Sequence, residues 1–174
     1  SLFADNISDF QIEGISLGDK ALDYFSKFEL NNSIDSRNYK NNEFKYYFLE
    51  YPKSETYEFI QITVKPIDKD FEIYGIQGHI FYKDINQCHQ KMEEIKIEID
   101  NLLNIESFAD SGEHYSDPSG KSTYKRYQYY LNEDRVEIIC YDMSKEFENK
   151  GAKDRLAVGL DKSEFVKFLT RNYQ

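Results

Sequence analysis

The sequence predicts an α+β fold in which an antiparallel sheet carries its helices on one face. Seven stretches alternate apolar and polar residues with period 2 and follow one another through short turns, a pattern typical of antiparallel strands. One long stretch, 84–104, instead carries apolar residues at spacings of three and four, as an amphipathic helix on a sheet does. The predicted element order is β-α-βββ-α-βββ-α.

The first half of the chain supplies four of these strands and one helix. A short strand is predicted at 9–14, and Ser16-Leu17-Gly18-Asp19 has the form of a capping box that opens a helix. Residues 31–42 are polar and rich in turn-forming types, which predicts a loop. Three strands follow, and Pro66 marks the turn between the last two; their ranges are 44–51, 58–64 and 71–83.

The central helix begins at Asp84, whose carboxylate can cap the free backbone amides of the first turn. Its apolar residues form one stripe, while the charged residues lie off that stripe. The stripe consists of Ile85, Cys88, Met92, Ile95, Ile99 and Leu102. Such a helix is stable mainly because its apolar stripe covers a sheet.

The second half repeats the scheme. Residues 106–122 are irregular, strands are predicted at 123–131 and 135–143, and Leu156, Val158 and Leu160 mark a last strand. Asp161-Lys162-Ser163-Glu164 then caps a final helix. The length fits a single domain, 1–174. The spacing of the predicted helix starts suggests pseudo-repeats at 16–83 and 84–160, although a repetition of secondary structure alone would give the same spacing.

Composition limits the partners and the compartment. A net charge of −10 opposes nucleic acid and anionic membranes, and no apolar run is long enough to predict a membrane span. Small Ala4 before Asp5 is typical of the end of a cleaved signal peptide, although Ser1–Ala4 could equally reflect an arbitrary boundary. We therefore expect a periplasmic or secreted protein whose signal peptide has been removed.

Cys88 and Cys140 are the two cysteines of the chain, and we predict that they form a disulfide. Cys88 lies on the apolar stripe of the central helix, and Cys140 shares a strand face with Val136 and Ile138. A helix that covers a sheet brings these two surfaces together. Two thiols buried separately in the core are the alternative, since free cysteine is commonly buried.

No motif indicates a cofactor or a metal. Ser119-Gly120-Lys121-Ser122-Thr123 resembles part of a phosphate-binding loop, but that motif needs glycine at the position of Tyr115. Asp110, Glu113, His114 and Asp117 cluster in sequence, but their spacing matches no metal-binding loop and fits a solvated acidic loop. We assign no catalytic residue, no metal ligand and no cofactor.

The strongest candidate for a functional surface is the sheet face opposite the predicted core. It combines aromatic rings with amide and guanidinium groups, which suits a protein or a small polar ligand. The candidate binding residues are Phe59, His79, Phe81, Tyr124, Arg126, Gln128, Tyr130 and Tyr141. A structural face covered by the loops at 31–42 and 106–122 is the alternative. We expect non-enzymatic binding; the rival function is a hydrolase whose site assembles around His79 or His114.

The segment Phe10–Asp19, the Cys88 helix and the strand Ile139-Cys140-Tyr141-Asp142 resemble small exported bacterial proteins of unknown function. That resemblance implies export and no particular activity. The element order is similar to the repeated helix-plus-sheet units of β-lactamase inhibitory protein and of outer-membrane assembly lipoproteins. This second resemblance implies protein binding. The lipid-bearing N-terminal cysteine of the lipoproteins has no counterpart here, which weighs against a membrane anchor.

Overall fold

The computed structural model describes residues 6–173, so the predicted cleavage region Ser1–Ala4 lies outside the described residues. The strands are β1 Asp35–Asn38, β2 Lys45–Glu50, β3 Phe59–Val64, β4 Ile73–Phe81, β5 Phe108–Glu113, β6 Thr123–Leu131, β7 Asp134–Asp142 and β8 Arg155–Asp161. The helices are α1 Lys27–Asn31, α2 Ile85–Leu103, α3 Lys145–Glu148 and α4 Ser163–Tyr173. Short 3-10 turns lie at Ile7–Asp9, Ala21–Asp23 and Lys40–Asn42.

All eight strands belong to one antiparallel sheet in the order β1-β2-β3-β4-β8-β7-β6-β5. Two four-stranded meanders therefore meet where β4 pairs with β8, from Gly75 opposite Asp161 to Phe81 opposite Arg155. The predicted α+β class and the antiparallel sheet are confirmed. The strand order is mirrored about the β4–β8 pair, as a duplicated unit would give, and the pseudo-repeat boundaries stay a prediction.

One face of the sheet, the covered face, holds the main hydrophobic core. It is built from the apolar side chains that alternate inward along the central strands, such as Ile62, Ile76, Val158 and Ile138. α2 lies across it, with Asp84 capping its first turn as predicted. Its buried residues are Cys88, Met92, Ile99 and Leu103. Hydroxyls of β6 anchor the helix further, since Tyr127 donates to Glu93 and Tyr129 to Asp100, each at 2.7 Å.

The predicted disulfide is present. The Cys88 and Cys140 sulfurs are 2.01 Å apart, and the two Cα atoms are separated by 6.0 Å. Both side chains are buried beneath α2. The bond therefore joins the central helix to β7 inside the core of the covered face.

The structure corrects three details of the sequence interpretation. The strand expected at 9–14 is reduced to a single β-bridge between Ile12 and Ile15, because Glu13 and Gly14 both have positive φ and turn the chain sharply. The helix expected from Ser16 begins only at Lys27, where Ser26 and Glu29 form a capping box. The predicted loops 31–42 and 106–122 contain the two edge strands β1 and β5.

The position of α4 also differs from the predicted placement of all helices on one face. The placement of helices on one face holds for α1 and α2, whereas α4 packs at one end of the opposite face. Phe165 of α4 lies beside Gly75, where a Cβ would come within 3.2 Å of its ring. Phe165 and Phe168 join Phe44 in a small second core. The sequence pattern of α4 gives an apolar stripe but does not say which side of the sheet it meets.

Replacing both cysteines by alanine should lower the free energy of unfolding by about 4 kcal/mol, because the disulfide closes a long loop in the unfolded chain. Urea denaturation of the Cys88→Ala/Cys140→Ala variant and of the oxidised wild type measures the loss. Wild-type protein that is denatured without reductant should show no free thiol. Equal midpoints in urea for the two proteins would contradict the expectation.

Candidate binding face

The structure places all eight predicted binding residues on one face of the sheet, opposite the covered face. We call it the open face. The strand register sets Phe59 opposite His79 and His79 opposite Ala157. The same alternation continues through β7 and β6, where Arg126 pairs with Ile139 and Tyr124 with Tyr141. Exposure varies along the face: His79 and Gln128 are buried, Tyr130 is exposed, and the other five are half-buried.

The open face is concave. Its central residues, including His79, Glu137 and Asp161, are buried although, within residues 6–173, α4 packs against one end of this face and the loop that carries His114 against the other. Burial chiefly raises the pKa of Tyr46 and lowers that of Arg155; the Tyr115 hydroxyl adds to the rise at Tyr46 and opposes the fall at Arg155. Strands two apart are separated by about 10 Å in a sheet, yet the ring of Phe48 on β2 lies 5.0 Å from that of His79 on β4. The sheet therefore curls toward this face and forms a trough.

A buried charge network forms the floor of the trough. Arg135 donates to Asp161 from Nε at 3.1 Å and from Nη2 at 2.6 Å, and its Nη2 lies 3.4 Å from Glu137 Oε2. Gln77 donates to Glu137 Oε1 at 2.9 Å. This last contact crosses Gly159, where a Cβ would lie 2.7 Å from Gln77 Cγ. Gly159 is therefore required so that the amide can reach the carboxylate.

The network continues to the edge of the sheet through Arg126. Its guanidinium binds both carboxylate oxygens of Asp110 at 2.8 and 2.5 Å and lies 3.9 Å from Glu137. The two arginines are thus committed to three carboxylates. Arg126, a predicted binding residue, is held in place by Asp110 of β5. The aliphatic part of its side chain therefore remains available to contact a ligand.

Aromatic rings line the other half of the trough. Phe48 and Phe59 stack with centroids 5.1 Å apart, and Phe81 meets Phe59 edge-on at 5.1 Å. His79 contacts Phe48 at 5.0 Å, and neither of its ring nitrogens has a hydrogen-bond partner. Burial, followed by the charge of Arg155, lowers the pKa of His79 to about 3, so the ring is neutral at pH 7.

His114, the other histidine of the hydrolase hypothesis, lies above one end of the face. Its Nδ1 is 2.8 Å from the Ser116 hydroxyl, and its ring contacts Tyr141 at 5.2 Å. Asp117 does not orient it, because that carboxylate accepts hydrogen bonds from Ser122 and Ser144. A nucleophilic triad needs an acid that orients the histidine. Within residues 6–173, His114 and Ser116 therefore form a pair without the third member.

The residues of this face that were absent from the sequence-based list include Phe48 and Arg155 besides the charge network. Phe48 lies on the predicted strand 44–51, and Arg155 directly precedes the predicted strand marked by Leu156. The period-2 alternation reaches both residues when each strand is counted to its end. The order of the strands in the sheet decides which side chains surround these two residues, and a single sequence does not provide that order.

Two cavities lie at the margins of the sheet. One of about 600 Å³ lies between α2 and the β5–β6 edge and includes Tyr124 in its lining, and one of about 330 Å³ lies beside α1. Among residues 6–173 no cluster of His, Cys, Asp and Glu is arranged to hold a metal ion. No helix in the same range has the length and apolar character needed to cross a membrane.

Comparisons with family models, with curated proteins and with solved structures find no match to this chain.

The charge network can be tested with Arg135→Met, which should lower the free energy of unfolding by about 3–5 kcal/mol, because Asp161 and Glu137 would lose a buried counter-charge. Lys167→Met is the matched control: Lys167 pairs with Glu133 at the surface, so its loss should change stability by less than about 1 kcal/mol. Urea denaturation of both variants at pH 7 decides the matter. Equal losses would show that the network does not stabilise the fold.

His79→Phe tests the buried neutral imidazole. His79 titrates near pH 6.5 in the unfolded chain but near 3 in the fold. Only the unfolded state therefore takes up a proton between pH 7 and 5, which costs the wild type about 2 kcal/mol of stability. Between pH 7 and pH 5, the free energy of unfolding of His79→Phe should therefore fall by about 2 kcal/mol less than that of the wild type. Phe59→Leu, which removes no titrating group, should keep the wild-type dependence. A wild-type pH profile in His79→Phe would contradict the expectation.

Proposed function

We propose that the chain is an exported, non-enzymatic binding protein that holds another protein on its open face. The observation that carries the proposal is a concave sheet face rich in Phe, Tyr and Arg and, among the described residues, overlaid by α4 and the His114 loop at its two ends. Tyr, Phe and Arg are the residues enriched in the cores of protein–protein interfaces. Export is supported by the disulfide, since such bonds persist in oxidising compartments.

The shape of the face suits a protein partner. Six strands, β2 to β6 in spatial order, would span about 24 Å if the sheet were flat, and the longest of them are about 30 Å long. The curl of the sheet narrows this opening, so the accessible area lies below the roughly 800 Å² that each partner contributes to a standard interface. A concave surface of this breadth fits a protruding loop or helix of the partner.

The rival hydrolase function has one supporting observation, the hydrogen bond between His114 and Ser116. The absence of an orienting acid weighs against it, because the third member of a triad holds the imidazole in its reactive tautomer. The floor of the trough also lacks a free acid–base pair: each of its carboxylates is already bound by arginine or glutamine.

Photo-cross-linking tests the proposed function. A photoreactive phenylalanine analogue at Gln61 or Tyr130, on the open face, should give a discrete adduct when the protein is produced with its natural export route. The same analogue at Ile97, an exposed apolar position on the outer side of α2, should not. Excess unlabelled wild type should compete with the adduct. An adduct of twice the chain mass would identify the partner as a second copy.

Phe59→Ala and Tyr124→Ala should each weaken the adduct at least about tenfold, as expected for aromatic residues that carry binding energy. Their folding is checked by thermal denaturation, and Ile97→Ala serves as the surface control. Cross-links of equal yield and identity from Gln61, Tyr130 and Ile97 would contradict the proposal, as would their complete absence.

A further inference from the structure

Arg155 differs from the other four arginines of the chain. Arg37, Arg126, Arg135 and Arg171 each lie within 4 Å of a carboxylate. Arg155 has no ion pair or hydrogen bond with any side chain in residues 6–173; its contact is the ring of Tyr141, 4.5 Å from the guanidinium carbon. It occupies the open face at the start of β8, opposite Phe81 on one side and Tyr141 on the other.

The groups that face Arg155 carry no negative charge at pH 7. Tyr141 is a neutral phenol, because burial raises its pKa to about 12. His79 lies diagonally across from Arg155 on β4, and His114 stands over Tyr141. Burial and then the positive charge of Arg155 lower the pKa of both histidines, to about 3 for His79 and about 4 for His114. The guanidinium is thus desolvated among rings and neutral polar atoms.

Half-buried arginine is usually matched by an anion, since desolvation without a counter-charge is costly. The rest of this face follows that rule, because both arginines of the charge network have carboxylates. We propose that Arg155 receives a carboxylate carried by the partner protein on the open face. This inference rests on the proposed function and names the chemistry of the group that the partner presents.

Geometry favours a carboxylate over other anions. The planar guanidinium fork binds a carboxylate through two parallel hydrogen bonds, and one positive charge matches one negative charge. Phe81 and Tyr141 flank the guanidinium, so they suit an apolar group attached to that carboxylate. Multiply charged anions are opposed by the net charge of −10.

The probes for the test are phenylacetate and phenylacetamide, which share a ring and differ in charge. Nuclear magnetic resonance of isotope-labelled protein follows the Arg155 guanidinium, the His79 ring and the Tyr141 ring. Phenylacetate should shift these signals in a saturable way with Kd on the order of 1 mM, as expected for so small a ligand. Phenylacetamide should bind at least about tenfold more weakly, because it lacks the charge that strengthens the hydrogen bond.

Arg155→Gln should abolish the phenylacetate shifts, and Arg155→Lys should weaken them, because lysine keeps the charge but loses the fork. Lys121→Gln, a surface charge change outside the trough, should leave them unaltered. The spectra themselves report whether each variant is folded. If Arg155→Gln does not fold, Arg155→Lys alone tests the proposal. Equal binding of the amide, or unchanged shifts in both Arg155 variants, would overturn the proposal. Tighter binding of inorganic phosphate would overturn the choice of carboxylate.

The two proposals can fail separately. If phenylacetate binds at Arg155 but no protein is cross-linked, the carboxylate site is supported and the proposed protein partner is contradicted. The opposite outcome is a cross-linked partner whose adduct is unaffected by Arg155→Gln and Arg155→Lys, together with no binding of phenylacetate. That result would support the binding function and contradict the role of Arg155.

Discussion

The pairing of β4 with β8 is the interaction on which the rest of the structure depends. It joins two separate meanders into one sheet, and without it neither the covered core nor the open face would be continuous. Three of the eight glycines lie along this seam, and each lets a neighbouring side chain cross the backbone. Gly78 accommodates the ring of Tyr57, Gly75 accommodates Asp161 and Phe165, and Gly159 accommodates Gln77. A Cβ at any of these positions would come within 3.0 Å of another side-chain atom.

The two faces of the sheet are stabilised by different physics. The covered face is a conventional apolar core, closed by an amphipathic helix and fixed to it by a disulfide. The open face buries arginines and carboxylates, which are costly to desolvate unless each finds a partner. Around Arg135 and Asp161 opposite charges are paired, and the network is structural. Arg155 has no counter-charge among the described residues, and the proposed carboxylate site rests on this difference.

The sequence predicted the central elements because their signals are local. The bounds of β6 were predicted to the residue, α2 was predicted to within a residue or two, and the disulfide followed from the faces that Cys88 and Cys140 occupy. The eight predicted binding residues share one face because alternation fixes faces within each strand. The edge strands β1 and β5 were missed, since Asp35–Asn38 and Phe108–Glu113 are mostly polar and form strands only beside their neighbours. The side of the sheet taken by α4 and the isolation of Arg155 both depend on strand order, which one sequence does not reveal.

The disulfide also shortens the chain path that must close to make the seam. Phe81 and Arg155 are partners in the β4–β8 ladder, yet the whole of α2 and three strands separate them in sequence. Once Cys88 is joined to Cys140, the path runs from Phe81 to Cys88, across the bond, and from Cys140 to Arg155. Loop-closure entropy grows with the length of the path, and pairings between distant strands are slow to form. Oxidation thus turns the least local strand pairing of the sheet into a comparatively local one, and the compartment in which the chain folds sets how quickly its two halves can meet.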